Sequence, residues 1–104
     1  MSQAETKSRT RISPNVEIKE PPMYRVIYIN DSKTTMEFVI ESLVEYFNYT
    51  AQTALQITSD IHEQGSAVVA VLPYEVAEQK GIEVTVHARS QNYPLQIKLE
   101  PDNA

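Results

Sequence analysis

The order of apolar patterns along the chain most constrains what this sequence can fold into. After a Pro21-Pro22 pair, the segment MYRVIYIN, beginning at Met23, is rich in β-branched and aromatic residues and is apolar at most positions. This predicts a central strand covered on at least one face. The segment AVVAVL, from Ala67, predicts a second strand buried on both faces. The alternating LQIKLE, from Leu95, predicts a last strand with one apolar face.

Between these strands, apolar residues recur at helical spacing, which predicts helices in both intervals. Thr34 and Glu37 stand at capping-box spacing ahead of an amphipathic stretch of about three turns. Thr50 is the predicted N-cap of a second helix, which Gly65 ends, and a third helix begins at Pro73. Within it, the alternating segment IEVTV keeps a strand as an alternative. The order β-α-α-β-α-β predicts an α+β fold: a small three-stranded antiparallel sheet with three helices packed on one face.

Composition excludes several classes of protein. A chain of 104 residues predicts one domain. The lack of cysteine excludes disulfides and a thiol nucleophile. A net charge of −5 argues against binding to nucleic-acid phosphates. The longest apolar run, 67–72, is far below the roughly 20 residues of a spanning helix. Because the first residues also lack the apolar segment of a secretory signal, we expect a cytoplasmic protein.

Charge is distributed unevenly between two parts of the chain. Residues 1–20 carry four basic and three acidic side chains, a balance of +1, whereas residues 21–104 carry five basic and eleven acidic ones, a balance of −6. The first part is polar and has too few aliphatic residues to offset the entropy lost on ordering. The sequence therefore predicts a flexible N-terminal extension at 1–20 and a core domain at 21–104.

The turn after the first strand is the strongest candidate for a binding site. Asn30 and Asp31 end the strand and lead into a helix whose first inward residue is Met36. Polar acceptors beside a flexible thioether predict a cup with an apolar interior and a rim that attracts a cation. A free peptide N-terminus with a large first side chain has this charge and shape. His62, beside Ile61, has two interpretations: a half-buried imidazole bonded locally, or an acceptor in the site.

Catalytic and metal-binding patterns are sparse. Ser32 beside Asp31 is the one hint of a nucleophile for His62, and no nucleophile-elbow or Gly-rich oxyanion motif accompanies it. His62 and His87 have no metal-ligand spacing. We therefore expect no catalytic residue, no metal and no cofactor, with a hydrolase as the weaker alternative.

Four runs together resemble the ClpS adaptor family over about residues 21–101: PPMYRVIYINDSKTTMEFVIESLVEYFNY, IHEQGSAVVAV, YEVAEQKG and YPLQIKLE. The most specific pieces are ND-x-x-T-x-MEFV and H-x-Q-G. The resemblance implies a ClpS-like fold and a non-enzymatic adaptor of the bacterial N-end rule. Such adaptors bind N-degrons, which are proteins beginning with Leu, Phe, Tyr or Trp, and deliver them to the ClpAP unfoldase–protease.

The resemblance also implies roles for particular residues. The substrate α-amino group is expected at Asn30, Asp31 and His62. The side-chain pocket is expected at Ile29, Thr34, Met36, Val39, Thr58, Ile61 and Leu95. Among these, Met36 corresponds to a gate that disfavours β-branched first residues. Glu75 and Lys80 correspond to contacts with the N-domain of a ClpA-type unfoldase, and the extension at 1–20 corresponds to the segment needed for delivery. The protein itself is expected to be a monomer.

Three residues depart from the family pattern. Ser32 stands where a second acidic residue is common, Thr58 where a methionine is common, and Thr35 where a proline is usual. Ser32 removes a negative charge near the expected amine, and Thr58 alters a pocket wall. The order of preference among Leu, Phe, Tyr and Trp therefore stays open. These departures also leave an alternative, a cargo-free regulator of the unfoldase.

Overall fold

The computed structural model describes residues 21–103, so the extension expected at 1–20 lies outside the described part of the chain. The described elements follow the predicted order, and IEVTV is helical rather than extended. Their bounds are β1 Met23–Ile29, α1 Met36–Phe47, α2 Ala51–Gln64, β2 Ser66–Pro73, α3 Tyr74–Ser90 and β3 Gln96–Pro101.

The three strands form an antiparallel sheet in the order β2-β1-β3, so β1 is central, as its apolar pattern predicts. Val26 and Tyr28 are fully buried in the core shared with the helices. Because side chains alternate along a strand, Arg25 and Ile27 lie on the opposite face. The predicted fold class, three helices over one face of a three-stranded sheet, is confirmed.

A bulge interrupts the pairing of β1 with β2. Val26 pairs with Ala70 but Ile27 pairs with Val68, which leaves Val69 as an extra residue. The side chain of Val69 is buried in the core. Its carbonyl accepts a hydrogen bond from the Tyr49 hydroxyl at 2.5 Å. The bulge therefore changes which side chains of β2 face the helices.

The sequence-based prediction that β2 is buried on both faces is wrong. Val68 and Val71 are 45% and 41% exposed. Both lie on the sheet face away from the helices, and no further layer of the described residues covers that face. The apolar run is therefore continuous in sequence but only half of it enters the core.

Helix α1 begins one residue later than the capping-box spacing predicts. Thr35, not Thr34, is the N-cap, and its hydroxyl oxygen accepts a hydrogen bond from the Phe38 amide at 3.1 Å. Thr34 instead binds the Asp31 carboxylate through both its amide and its hydroxyl. Since Asp31 engages Thr34, the next threonine caps the helix.

The buried face of α1 is rotated toward Phe38 and Ser42, and Met36 stays 43% exposed at the first turn. The Tyr28 hydroxyl and Ser42 Oγ are 2.8 Å apart in the core, and Ser42 in turn donates to the Val39 carbonyl at 2.8 Å. Burial raises the pKa of Tyr28 far above its ordinary value. A buried polar group without a partner costs about 1–3 kcal/mol, so this pair fixes how α1 sits on β1.

Helix α2 has the ends that the sequence predicts. The Thr50 hydroxyl oxygen accepts from the Thr53 amide at 3.2 Å. Gly65 adopts a φ of +89° and donates its amide to the Ile61 carbonyl at 2.9 Å. This left-handed conformation favours glycine because it has no Cβ. No helix within residues 21–103 is long and apolar enough to cross a membrane.

Candidate functional site: an acceptor corner at the end of α2

The Asn30 turn is joined directly to the C-terminal end of α2. The Asn30 amide donates to the Gly65 carbonyl at 2.9 Å. His62, in the last turn of α2, is exposed, which removes the half-buried interpretation of this residue. The C-terminus of a helix carries partial negative charge. The structure thus joins Asn30 to the end of the helix whose last turn carries His62.

The Asp31 carboxylate is held rigidly beside this corner. Its Oδ1 accepts hydrogen bonds from the amides of Lys33 at 2.8 Å and Thr34 at 2.7 Å. Its Oδ2 accepts the Thr34 hydroxyl at 2.8 Å. A carboxylate offers about four acceptor positions, so Oδ2 keeps one for a ligand.

Asp31 stays ionised in the folded protein. Desolvation acts to raise the pKa of Asp31, but the hydrogen bonds from Thr34 and Lys33, together with the positive charge of Arg89, outweigh it and lower that pKa below its ordinary value. A lowered carboxyl pKa stabilises the fold above the unfolded-state pKa, and this contribution disappears as the pH falls through the folded-state pKa. At neutral pH the Asp31 carboxylate therefore carries a full negative charge.

Apolar side chains predicted for the pocket come together in the core. Val39, Ile61 and Leu95 belong to one buried cluster. Thr58 is 2% exposed, and its hydroxyl donates to the Ala54 carbonyl at 2.7 Å. Because that hydroxyl is already bonded within α2, Thr58 contributes mainly its methyl group to its surroundings.

Two other predicted pocket residues lie at different places. Met36 is exposed at the start of α1 rather than buried in the core. Ile29 alternates with the buried Tyr28 and lines a cavity with Ser66 and Lys98 on the other face of the sheet. The structure does not group Ile29 with the buried pocket residues.

The sequence did not indicate a role for Arg89. From the last turn of α3, its Nη1 donates to the carbonyls of Tyr93 at 2.9 Å and Leu95 at 2.8 Å. Arg89 therefore holds the loop that carries Leu95. The one signal in the sequence is a cation in the last turn of a helix, which is too common to indicate this contact.

The two residues assigned to the unfoldase interface both lie on α3. Glu75 is exposed in its first turn. Lys80 is half-buried and lines a cavity of about 340 Å³ with Val76 and Val71. That cavity includes none of the residues predicted to bind a peptide N-terminus, so these are separate surfaces.

Cavity volume does not identify the acceptor corner. A cavity of about 290 Å³ between α3 and β3, lined in part by Ile82, Val86 and Ile97, contains none of the predicted site residues. Within residues 21–103 there is no group of three or more potential metal ligands. The polar geometry around Asp31, rather than cavity size, therefore defines the candidate site.

Together these features define the class of protein: a small α+β binding domain with a fixed negative charge and a helix C-terminus at one corner, close to buried apolar side chains. Comparison with known proteins agrees. The family described as "ATP-dependent Clp protease adaptor protein ClpS" matches residues 19–98. The chain belongs to this family, whose members are Clp protease adaptors, and the resemblance stated from the sequence is confirmed.

Curated relatives and a solved structure cover most of the chain. An ATP-dependent Clp protease adapter protein ClpS from Acetivibrio thermocellus is 40% identical over 96 residues, 92% of this chain and 97% of the relative. The one from Escherichia coli O1:K1 is 43% identical over 83 residues, 80% of this chain and 78% of the relative. The structure of Agrobacterium tumefaciens ClpS2 bound to L-phenylalaninamide has a TM-score of 0.77 and 34% identity, covering 80% of this chain and all of the other.

Proposed function

We propose that this protein binds N-degrons beginning with Leu, Phe, Tyr or Trp and delivers them to a ClpAP-type unfoldase–protease. The free α-amino group binds at Asn30, Asp31 and His62, and the first side chain enters the apolar pocket. The single observation that carries the proposal is the hydrogen bond between Asn30 and Gly65, which joins the Asp31 turn to the negative end of α2.

The chemistry of an α-ammonium group matches this corner. It has one positive charge and three donors, while an amide oxygen, a carboxylate and a neutral imidazole are acceptors. A charge-assisted hydrogen bond contributes about 1.5–3 kcal/mol, and burial of one large apolar side chain about the same. After the cost of association, we expect a Kd near the micromolar range.

The solved relative supports the same chemistry. L-phenylalaninamide, bound to Agrobacterium tumefaciens ClpS2, has a free α-amino group and an aromatic side chain, the two features that a first residue presents. In this chain the side-chain part rests on the buried residues Val39, Ile61 and Leu95, with Thr34 and Thr58 beside them and Met36 at the entrance. Ile29 remains part of the proposal only as the residue that directly precedes the Asn30 turn.

A peptide series that varies only the first residue tests the proposal. We expect signals with Leu, Phe, Tyr and Trp first, and none with first residues branched at Cβ, because such a side chain would clash with Met36 at the entrance. Fluorescence anisotropy of labelled peptides gives the whole series under one condition. Equal affinity for every first residue, or no binding at all, would contradict the proposal.

The pH dependence isolates the role of His62. The carboxylate of Asp31 stays charged between about pH 5 and 8, because its pKa lies below its ordinary value. An imidazole that must accept a hydrogen bond loses that ability when it is protonated, so affinity should fall as the pH is lowered within this range. Titration calorimetry over this range should show the fall in the wild type and not in His62→Gln. A flat wild-type profile would exclude His62 as an essential acceptor. The matched control is His87→Gln, which makes the same substitution at the other histidine of residues 21–103 and should keep the wild-type pH dependence.

Delivery is proposed to use separate parts of the chain. Glu75 and Lys80 contact the N-domain of a ClpA-type unfoldase, and the unfoldase engages residues 1–20 during delivery. The adaptor acts as a monomer in the cytoplasm. Binding of that N-domain to Lys80→Glu, with Lys98→Glu as the control, tests the contact. Deletion of residues 1–20 tests the extension: degradation should be lost while peptide binding is retained.

The alternative function is a cargo-free regulator of the unfoldase. It is retained because Ser32 and Thr58 depart from the family pattern at the expected binding site. It predicts normal binding of the unfoldase and no signal with any first residue. The peptide series therefore separates the two functions, provided that unfoldase binding is measured on the same preparation.

A further inference from the structure

The loop between α3 and β3 is held by the Arg89 side chain together with a backbone hydrogen bond from the Tyr93 amide to the Ala88 carbonyl at 2.9 Å. The Arg89 guanidinium makes two hydrogen bonds, in which Nη1 donates to the Tyr93 carbonyl and to the Leu95 carbonyl. Leu95, one residue before β3, is 1% exposed. The Tyr93 ring packs on Phe38 with a centroid distance of 5.2 Å. Arg89 thus connects the end of α3 to the segment that supplies a buried pocket residue.

Arg89 also acts on the polar half of the candidate site. Its positive charge is the smallest of the contributions that lower the pKa of Asp31. One hydrogen bond to the Leu95 carbonyl and one to the Tyr93 carbonyl restrict this loop more tightly than apolar packing alone, because hydrogen bonds are directional. Arg89 therefore acts on the candidate site through the loop that carries Leu95.

We propose that Arg89 is a positioning residue: by binding the Tyr93 and Leu95 carbonyls it sets the place of Leu95 as a pocket wall and thereby the preference among first residues. This inference rests on the proposed function. Arg89 does not itself contact the peptide in this account. Its effect is transmitted through the loop, so its removal changes the shape of the pocket rather than removing a contact.

A purely structural role makes a different prediction. A variant that only lowers the folded fraction reduces the apparent affinity for every peptide by the same factor, and the ratio between two peptides stays constant. A displaced wall changes that ratio, because pocket shape discriminates between side chains of different size. The ratio of Kd values for peptides with Trp and Leu first is thus the informative quantity.

The experiment compares Arg89→Met with Arg89→Lys and with Lys98→Met. Lys98 lines the same cavity as Arg89 and pairs with Glu100 at 2.8 Å, so its replacement removes a nearby positive charge and leaves the loop carbonyls bonded. We expect Arg89→Met to weaken binding of a Phe-first peptide about 10-fold and to change the Trp-to-Leu ratio at least about 3-fold. Arg89→Lys, whose ammonium reaches one carbonyl, should lie between it and the wild type, and it also serves if Arg89→Met fails to fold.

The outcomes separate this inference from the proposed function. An unchanged Trp-to-Leu ratio in both Arg89 variants, or an equal change in Lys98→Met, overturns the positioning role while the wild type still binds. If the wild type binds no peptide, the proposed function fails. The Leu95 methyl resonances of the ligand-free protein then decide whether Arg89 sets the place of this side chain: a shift in Arg89→Met and not in Lys98→Met supports it, and no shift overturns it.

Discussion

N-acetylation of a peptide that begins with Phe is expected to weaken its binding to this protein by at least about 100-fold, equivalent to roughly 2.7 kcal/mol. Acetylation removes the positive charge and leaves one N–H where the free α-ammonium has three. The acceptors at Asn30, Asp31 and His62 then lose most of their partners, and each charge-assisted bond is worth about 1.5–3 kcal/mol. Titration calorimetry of the paired peptides measures the difference.

The control for this prediction is a peptide of the same sequence with a free N-terminus and one internal lysine acetylated. It loses the same single charge, but away from the first residue. We expect its affinity to stay within about 2-fold of the unmodified peptide, because exposed charges are screened by solvent and salt. Equal binding of the N-acetylated and free peptides would show that the acceptor corner does not hold the α-amine, which would overturn the proposed function.

Replacing Asp31 is expected to have the second-largest effect. In Asp31→Asn the side-chain oxygen can still accept from the Lys33 and Thr34 amides, so the turn is retained while the charge is lost. We expect binding of a Phe-first peptide to weaken about 10- to 100-fold, since a charge-assisted hydrogen bond becomes a neutral one. Because the pKa of Asp31 is lowered, this deficit should be constant between about pH 5 and 8.

Two further variants make the result interpretable. Glu37→Gln makes the same acid-to-amide change on an exposed residue in the first turn of α1, and we expect it to bind peptide normally. Asp31→Ala removes the turn contacts as well as the charge and should also lower the thermal unfolding midpoint. Normal affinity in Asp31→Asn, with Glu37→Gln unchanged, would exclude the charge of Asp31 from recognition.

How much of the fold was predictable follows from the range of each interaction. Thr50 and Gly65 mark the ends of α2 correctly because a cap depends on residues within about one turn. The start of α1 was misplaced by one residue, since the capping-box pattern does not include the competing Asp31 carboxylate. A helix end can therefore be predicted from the sequence where the capping residue has only one hydrogen-bond partner within reach.

The candidate site divides in a similar way. The residues alone indicated the Asn30 and Asp31 turn as a cation-attracting rim, and the family resemblance supplied the roles of His62 and the pocket residues. Neither indicated that the Asn30 amide binds the Gly65 carbonyl, or that Thr58 satisfies its own hydroxyl within α2. Neither contact follows from the pattern of residue types along the chain, because that pattern does not say which donor meets which acceptor.

The order of elements, the central place of β1 and most helix ends follow from the amino-acid sequence, because apolar periodicity and capping act over a few residues. Which half of the apolar β2 run is buried depends instead on the bulge at Val69 and on the uncovered sheet face, both of which arise only when the strands and helices pack together. The contact of Arg89 with Leu95 also arises only in the folded chain. Such outcomes depend on which segments meet across the fold, and that information is absent from any single window of the chain.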